Sequence, residues 1–427
     1  MQINRKKTPG FEEIKKIKYI KAKKTSLKNG IPVHYINAGT QDVIRVDLLF
    51  NAGVWFQEKP LVSSTTNALM GEGTKKYNSQ QISEKFDFYG AHFNASVDYH
   101  AATVSLYTLS KYLNETLEVL EQIVKHPVFP IKELENYIRN KKQDLTIELT
   151  KVKTQARREF LKAIFGENHP YGHVIEPEDY EKVNTKQLSD FHKCLYNASN
   201  CKIVVAGKID DKVLKLINRY FGGKDWQGKE NIEIKKFAVK TTKEKRIVVE
   251  KKDAVQSAIR IGCELFSKTH PDFIKMQVLN TVLGGYFGSR LMTNIREDKG
   301  YTYGIGSVIF SFKESGYFVI VSEVGAKVCK DAIKEVKKEL KCLREELIPK
   351  EELKRVKSYM LGEMLRNFDG PFALADAFIG VDAYGLKYKF YDEFVQTIKD
   401  VTPAELKKLA VKYLDDKKMI EVIAGKY

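Results

Sequence analysis

Residues 183–209 read VNTKQLSDFHKCLYNASNCKIVVAGKI, and residues 401–427 read VTPAELKKLAVKYLDDKKMIEVIAGKY. Each stretch has a threonine near the start of an amphipathic segment, then a turn, then an apolar run that ends in Ala-Gly-Lys. A threonine in that place is typical of a helix N-cap, and a short run rich in Ile and Val is typical of a strand. The two stretches therefore predict one unit, a Thr-capped helix followed by a β-strand, that occurs twice in the chain.

The rest of the chain repeats in the same order on both sides of a polar stretch near residues 222–243. Strand-like runs open both halves, and the amphipathic segments NETLEVLEQIV and CKDAIKEVKKELKCL follow, each with a proline and a further charged helical segment after it. A parallel order of this kind indicates a duplication. We predict an N-terminal charged segment over residues 1–25, a first domain over 26–221, a linker over 222–243 and a second domain over 244–427.

Strands joined both by hairpin turns and by helical crossings predict an α+β fold in each domain. We expect a largely antiparallel or mixed sheet with helices packed on one face. The stretch 222–243 opens with glycines and continues in charges, which is typical of a linker with few contacts. Two tethered domains of this kind form a clamshell, and ligand sites tend to lie between domains. Functional residues are therefore expected where the two halves face each other.

The composition argues against several classes of partner. Lys and Arg number 72 against 55 Asp and Glu, so the formal net charge is +17. A field of that sign attracts polyanions, but the lysines are spread along the chain and not clustered as in a nucleic-acid module. No apolar run approaches the ~18–20 residues of a membrane span, and the start lacks the apolar core of an export signal. With five cysteines and no CxxC pair, we expect a cytoplasmic protein with reduced thiols and no nucleic-acid or membrane partner.

Residues 283–307, LGGYFGSRLMTNIREDKGYTYGIGS, carry the most informative pattern of the second half. The helical segment that contains Arg296 is expected to stop at Gly300, and the residues that follow alternate as in a strand. Tyr301 and Tyr303 are then expected to point to the same face. Spacing alone does not choose between the two tyrosines.

This segment closely resembles a signature of the M16 metallopeptidases, the pitrilysin or insulinase family. The resemblance covers nearly the whole chain from about residue 26 and implies duplicated α+β domains of the LuxS/metallohydrolase-like kind. Arg296 and Tyr303 match an arginine–tyrosine pair in the family's second domain, which implies that they reach a peptide bound at the zinc of a facing domain. A guanidinium fork and a phenol suit a carbonyl that becomes an oxyanion. The alternative is a surface charge at a helix end and a half-buried strand aromatic.

The loop before Arg296 resembles one that lies against the incoming peptide in related non-catalytic subunits. The resemblance therefore implies a substrate-binding role for its residues, although a turn that merely needs positive φ is an equally simple explanation of the glycines. These residues are Gly284, Gly285, Phe287 and Gly288.

The zinc motif that such a fold would carry is absent. An active member of the family needs H-x-x-E-H on a helix of the first domain. Alignment on the Gly-Thr pair at 73–74 puts Ser64, Asn67 and Ala68 at the positions of the two histidines and the glutamate. No histidine occurs between residues 34 and 92, so a shifted register restores nothing. Ser and Ala offer zinc no nitrogen ligand, and Asn does not accept a proton from water at neutral pH.

The remaining candidate ligands do not form a recognisable set. Glu148 matches the position of the family's distal glutamate ligand, and a solvated helix glutamate is its other interpretation. His169 and His173 are four apart, but Pro and Gly between them argue against a helix. His92 and His100 are eight apart with no further ligand nearby, which is more typical of core or surface histidines. We expect no metal or other cofactor in this chain.

A resemblance over nearly the whole chain together with the missing H-x-x-E-H motif predicts a non-catalytic subunit. It would be similar to the alpha subunit of mitochondrial processing peptidase and to bacterial heterodimeric relatives. The resemblance implies an M16 sister subunit that carries H-x-x-E-H and zinc, and peptide substrates that bind by edge-strand addition. The main alternative is an inert peptide-binding or structural scaffold that forms a homodimer. A polyanion binder is a third possibility. A net charge of +17 fits basic presequence peptides poorly.

Overall fold

The computed structural model describes residue 14, residues 17–228 and residues 234–427. Most of the predicted N-terminal segment 1–25 and the middle of the predicted linker 222–243 lie outside the described residues. Over the described chain, eleven β-strands form two sheets, and thirteen α-helices pack against them. No described helix is long and apolar enough to cross a membrane.

The first half supplies a six-stranded sheet with the order β1-β2-β6-β3-β5-β4, in which only the β2–β6 pair is parallel and β4 is an edge strand. Its strands are β1 (Lys23–Ser26), β2 (Pro32–Asn37), β3 (Val43–Phe50), β4 (His92–Val97), β5 (Ala102–Leu109) and β6 (Cys201–Gly207). Its helices are α1 (Val62–Leu69), α2 (Ser79–Phe88), α3 (Leu113–Lys125), α4 (Ile131–Leu149), α5 (Val152–Phe165), α6 (Thr185–Leu195) and α7 (Asp211–Phe221).

The second half supplies a five-stranded sheet with the order β7-β11-β8-β10-β9, in which only the β7–β11 pair is parallel and β9 is an edge strand. Its strands are β7 (Arg246–Glu250), β8 (Gln256–Leu265), β9 (Thr302–Ser311), β10 (Gly316–Gly325) and β11 (Ile420–Gly425). Its helices are α8 (Phe273–Asn280), α9 (Cys329–Glu345), α10 (Lys350–Arg366), α11 (Gly370–Asp382), α12 (Lys389–Asp400) and α13 (Pro403–Tyr413), with π-helical turns at Thr281–Gly285 and Met292–Asp298.

The α+β prediction is confirmed, and the repeated unit at the end of each half is a helix followed by a strand, α6–β6 and α13–β11. Thr402 caps α13, because its hydroxyl accepts a hydrogen bond from Glu405 N at 3.3 Å. The prediction of a threonine cap is wrong for α6. There the preceding residue, Asn184, is the N-cap, and its side-chain oxygen accepts from Gln187 N at 3.0 Å. Asn and Thr both serve this role, and the side chain one position earlier takes it here.

Each sheet is covered on one face by helices of its own half and on the other by a helix of the opposite half. Helix α5 of the first half packs on β8 and β11 of the second sheet, and its Phe160 and Phe165 are fully buried there. Helix α11 of the second half packs on β2 and β6, where Phe378 contacts the same cluster as Ile36 and Val204. Burying a side chain of this size contributes about 1.5–3 kcal/mol. This exchange of helices holds the halves together around a shared interior.

An ion-pair network centred on the buried Arg45 also reaches from the first half to the second. Arg45 on β3 lies 2.8 Å from Asp47 and 2.7 Å from Asp376 of α11, and Ser105 donates a 2.6 Å hydrogen bond to Asp47. Asp47 is fully buried, and a charge in such a place is tolerated only when it is paired and hydrogen-bonded. The contact between Arg45 and the 65% exposed Asp376 therefore joins α11 to the first sheet.

The described part of the predicted linker is not loosely attached. The backbone carbonyl of Lys235 accepts a 2.9 Å hydrogen bond from the Trp55 ring nitrogen. Farther on, Lys240 N donates to Phe165 O at 3.1 Å, next to the end of α5. The expectation of few contacts is wrong for these residues, because the chain must pass along α5 to reach the second sheet.

Candidate functional site

The positions of the missing zinc motif lie on α1. Ser64 and Ala68 are half-buried on one face of this helix, since they are four residues apart. Asn67 is only 1% exposed, and its side-chain nitrogen donates a 3.3 Å hydrogen bond to the Tyr196 hydroxyl in the core. The three residues therefore do not converge, and their side chains do not fit a zinc ion.

Glu148 lies at the C-terminal end of α4, with its side chain 46% exposed. Its carboxylate pairs with Lys151 and accepts a 3.1 Å hydrogen bond from the Thr154 hydroxyl. The hydrogen bond from Lys151 lowers the pKa of Glu148. Across the described chain, no group of three or more His, Cys, Asp or Glu side chains could hold a metal ion. Glu148 therefore belongs to no such group among the described residues.

A cavity of about 660 Å³ lies between the two halves, and Ser64 is in its wall. Residues of the first half that line it include His100 and Arg157, and the second half contributes Phe310 and Tyr317 among others. Most of the lining is apolar, so the place where a zinc site would open is a largely hydrophobic space.

His100, in the wall of this cavity, contacts Tyr171 behind it. Its Nε2 lies 2.6 Å from the Tyr171 hydroxyl, which also accepts a 3.2 Å hydrogen bond from the backbone N–H of Glu314 in the second half. Burial lowers the pKa of His100 to about 4, so the ring is neutral at neutral pH. The sequence did not predict this contact, because the two partners are 71 residues apart. It showed only that His100 precedes a strand and that Tyr171 lies in a Pro-Tyr-Gly loop.

Arg296 lies in the π-helical turn Met292–Asp298, which ends before Gly300 as predicted; Gly300 has a φ of +65°. The guanidinium carbon is 4.8 Å from the centroid of the Phe287 ring, which is 62% exposed. Among the described residues, Arg296 has no hydrogen-bond or ion-pair partner. Its N–H donors are therefore available to a ligand.

Tyr303, at the start of β9, is 94% exposed, whereas Tyr301 packs against the core of the second half. The prediction that both tyrosines point to the same face is wrong, because Tyr301 packs inward and Tyr303 faces solvent. The pairing of β9 with β10 is irregular between Ser322 and Val324, and a bulge of this kind breaks the alternation of side chains. The structure thus distinguishes the tyrosines where spacing did not.

The glycine-rich loop is only partly accessible. Gly284 is buried, because its helical turn lies directly on β9: a Cβ there would come within 2.5 Å of Ser307 N. Close backbone approach therefore explains this glycine. The other three residues are exposed, so the predicted contact with a peptide stays a prediction for them: Gly285, Phe287 and Gly288.

Strand β9 connects these features along one edge of the second sheet. Tyr303 is at its beginning, and Phe310, 41% exposed, reaches the cavity between the halves. Val308 is 39% exposed, and Gly304 and Gly306, which lie between Tyr303 and Val308, have no side chain. An edge strand with an unpaired backbone and a smooth face can accept an added strand.

The two halves of the chain match two family models of the M16 peptidases. A family profile described as Insulinase (Peptidase family M16) matches residues 33–178, and one described as Peptidase M16 inactive domain matches residues 182–360. Among relatives, the uncharacterized zinc protease YmxG of Bacillus subtilis (strain 168) is 26% identical over 362 residues, 81% of this chain and 84% of that protein. The probable inactive metalloprotease YmfF of the same organism is 23% identical over 249 residues, 57% of each chain.

The fold is shared with a solved structure. A peptidase M16 inactive domain from Pseudomonas fluorescens superposes with a TM-score of 0.85 at 22% identity, over 95% of this chain and 98% of that chain. At this identity the likeness concerns the fold alone.

Proposed function

Because this chain belongs to peptidase family M16 but has no zinc ligands on α1, we propose that it is the non-catalytic subunit of a zinc endopeptidase. Its partner is an M16 sister subunit that carries H-x-x-E-H and binds the zinc. This chain binds extended peptides and contributes Arg296 and Tyr303 to the partner's active site.

The observation that carries the proposal is the state of these two side chains. Tyr303 is 94% exposed, and Arg296 has no polar partner among the described residues. An exposed side chain, or a guanidinium without a polar partner, adds little to the stability of the chain that carries it. Both residues gain a role once a peptide carbonyl reaches them.

In the proposed mechanism, Arg296 and Tyr303 donate hydrogen bonds to the carbonyl oxygen of the scissile peptide. These bonds strengthen as negative charge develops on that oxygen. Losing one such donor costs about 2.7–4 kcal/mol of transition-state stabilisation, a factor of roughly 10²–10³ in kcat. The peptide lies extended along an edge strand, where backbone hydrogen bonds hold it in register.

The test is reconstitution with M16 proteins of the same organism that carry H-x-x-E-H. We expect zinc-dependent cleavage of unstructured peptides by the mixture and none by this chain alone. Arg296→Ala and Tyr303→Phe should each lower kcat by about 100-fold or more. Matched controls are Arg219→Ala and Tyr112→Phe, on the surface of the first half, and they should leave kcat unchanged.

Two outcomes contradict the proposal. Cleavage that is insensitive to both substitutions removes the role of the pair. A sister subunit that is equally active without this chain supports the alternative, an inert peptide-binding or structural scaffold that forms a homodimer.

A further inference from the structure

A second cavity, of about 450 Å³, lies beside Tyr303, between the start of α5 and the second sheet. Its charged lining residues are Lys153 of α5, Arg260 of β8 and Glu323 of β10. Two cations therefore face one carboxylate, and Arg157, one turn farther along α5, adds positive charge nearby. The balance of charge in this cavity is positive.

Arg260 is the unusual member of this set. Arg260 is half-buried on the central strand β8, where its backbone lies opposite Val321 of β10. Its side chain has no hydrogen bond or ion pair among the described residues. The pKa of its guanidinium is lowered, mainly by burial and also by the positive charge of Arg157. Tyr317 and Glu323 act in the opposite direction and raise this pKa. A partly desolvated cation without a bonded partner is costly, because neither water nor a carboxylate fully compensates it.

Two other half-buried arginines of the same half, Arg290 and Arg344, are paired, whereas Arg296 has only its ring contact with Phe287 among the described residues. Arg290 binds Glu352 through two hydrogen bonds of 2.8 Å, and Arg344 binds Asp416 at 2.7 and 3.1 Å. Arg260 lines the cavity without such a partner in the described part of the chain, so its N–H donors are free to bind a ligand there. A bidentate carboxylate is what a guanidinium fork takes best.

The N-terminus of α5 adds to the positive field. This helix spans Val152–Phe165, and no side chain caps its first turn. Unpaired backbone N–H groups and the helix dipole favour an anion at that end. Lys153 is in this first turn and lines the cavity, while the Glu148 carboxylate binds the Thr154 hydroxyl at the same helix end.

We propose that this cavity binds an aspartate or glutamate side chain of the peptide substrate, held by Arg260 and Lys153. The inference rests on the proposed function, because Tyr303 in the same wall would place that acidic residue close to the scissile bond. It names a substrate class, peptides with an acidic residue next to the cleaved bond. The net charge of +17 favours the approach of such peptides.

The test measures binding by the full chain alone, without a partner or catalysis. The probes are two fluorescein-labelled unstructured decapeptides that are identical except for a central Glu-Glu or Gln-Gln pair, followed by fluorescence anisotropy. We expect the Glu peptide to bind about tenfold more tightly, as for a hydrogen-bonded charge pair. Arg260→Met and Lys153→Met should remove most of this preference and leave the Gln peptide unaffected.

Two further variants sharpen the result. Glu323→Gln removes the competing carboxylate and should tighten binding of the Glu peptide. Lys212→Met, on the exposed face of α7, has the same change of charge as Lys153→Met and should preserve the preference. Lys153 is exposed, so its variant reports on the site even if Arg260→Met destabilises the sheet.

Equal or absent binding of the two peptides by the wild-type chain overturns the inference, and so does a preference that Lys212→Met reduces as much as Lys153→Met. Failure of the proposed function appears elsewhere, as reconstituted cleavage that ignores Arg296→Ala and Tyr303→Phe. The two failures are therefore distinguishable.

Discussion

The guanidinium carbon of Arg296 lies 4.8 Å from the centroid of the Phe287 ring, over a side chain that is itself 62% exposed. Stacking of this kind uses the face of the cation and none of its five N–H donors. Phe287 therefore restricts the guanidinium without competing for its hydrogen bonds. The helical turn of Arg296 and the glycine-rich loop thus act as one unit.

Replacing Phe287 by Ala should lower kcat/KM of the reconstituted peptidase about two- to fivefold, the worth of an exposed cation–π contact. Arg296 would keep its charge but lose the ring that limits its rotamers. Steady-state cleavage of an unstructured peptide measures the effect, with Phe88→Ala, an 80% exposed phenylalanine of the first half, as control. An unchanged rate would show that the ring does not position Arg296.

Gly284→Ala should reduce the free energy of unfolding by about 1–3 kcal/mol, the usual cost of overpacking. The added Cβ would lie 2.5 Å from Ser307 N, so the helical turn must move away from β9. Urea denaturation measures the change. As a control, Gly362→Ala in α10 meets no atom within 4 Å and should stabilise by up to about 1 kcal/mol. Undiminished stability with weakened peptide binding would instead assign Gly284 to the substrate.

The duplicated helix–strand units were predictable because they depend on local pattern. Capping residues, apolar periodicity and the stop at Gly300 are all properties of neighbouring residues. The exchange of α5 and α11 was not predictable. An amphipathic pattern shows that Phe160 or Phe378 is buried, but it does not say which sheet buries it. That choice depends on the path of the whole chain.

In the candidate site, too, local pattern was predictable and contacts between distant residues were not. Alignment placed Ser64, Asn67 and Ala68 at the motif positions, but the inward direction of Asn67 depends on Tyr196, which is 129 residues away. The difference between Tyr301 and Tyr303 depends on an irregularity in the pairing with β10. The partner of His100 and the unpaired state of Arg260 likewise come from distant parts of the chain.

Restoring the motif by Ser64→His, Asn67→Glu and Ala68→His together should not create a zinc peptidase. Glu at position 67 would be driven into the core beside Tyr196, and an unpaired buried carboxylate costs several kcal/mol. The third ligand would also be missing, because Glu148 is engaged with Lys151 at the surface. Zinc content after dialysis and a urea unfolding curve measure the two effects.

The control for this variant is Ser64→His with Ala68→His, which changes only the half-buried face of α1. It should remain folded and hold zinc weakly at best, since two histidines leave the coordination sphere open. One tightly held zinc per chain in the triple variant, with peptide cleavage by the chain alone, would contradict this prediction.

Acid should destabilise the first half through His192. This residue is 7% exposed, its Nε2 donates a 2.9 Å hydrogen bond to Val124 O, and its ring stacks on Tyr196 at 5.1 Å. Burial lowers its pKa from 6.5 to about 4; the bond to Val124 opposes this shift, and the charges of His126 and Lys193 add to it.

The unfolded chain takes up the proton below about pH 6.5, and the folded chain only near pH 4. The stability that neutral His192 contributes is therefore complete above pH 6.5 and is lost as the pH falls to 4. At 1.36 kcal/mol per pKa unit the loss is about 3 kcal/mol. Urea unfolding at pH 7 and pH 4.5 measures it. His192→Gln should flatten the dependence, whereas His92→Gln, on the exposed edge of β4, should not. Equal pH dependence in wild type and His192→Gln would show that acid acts through other groups.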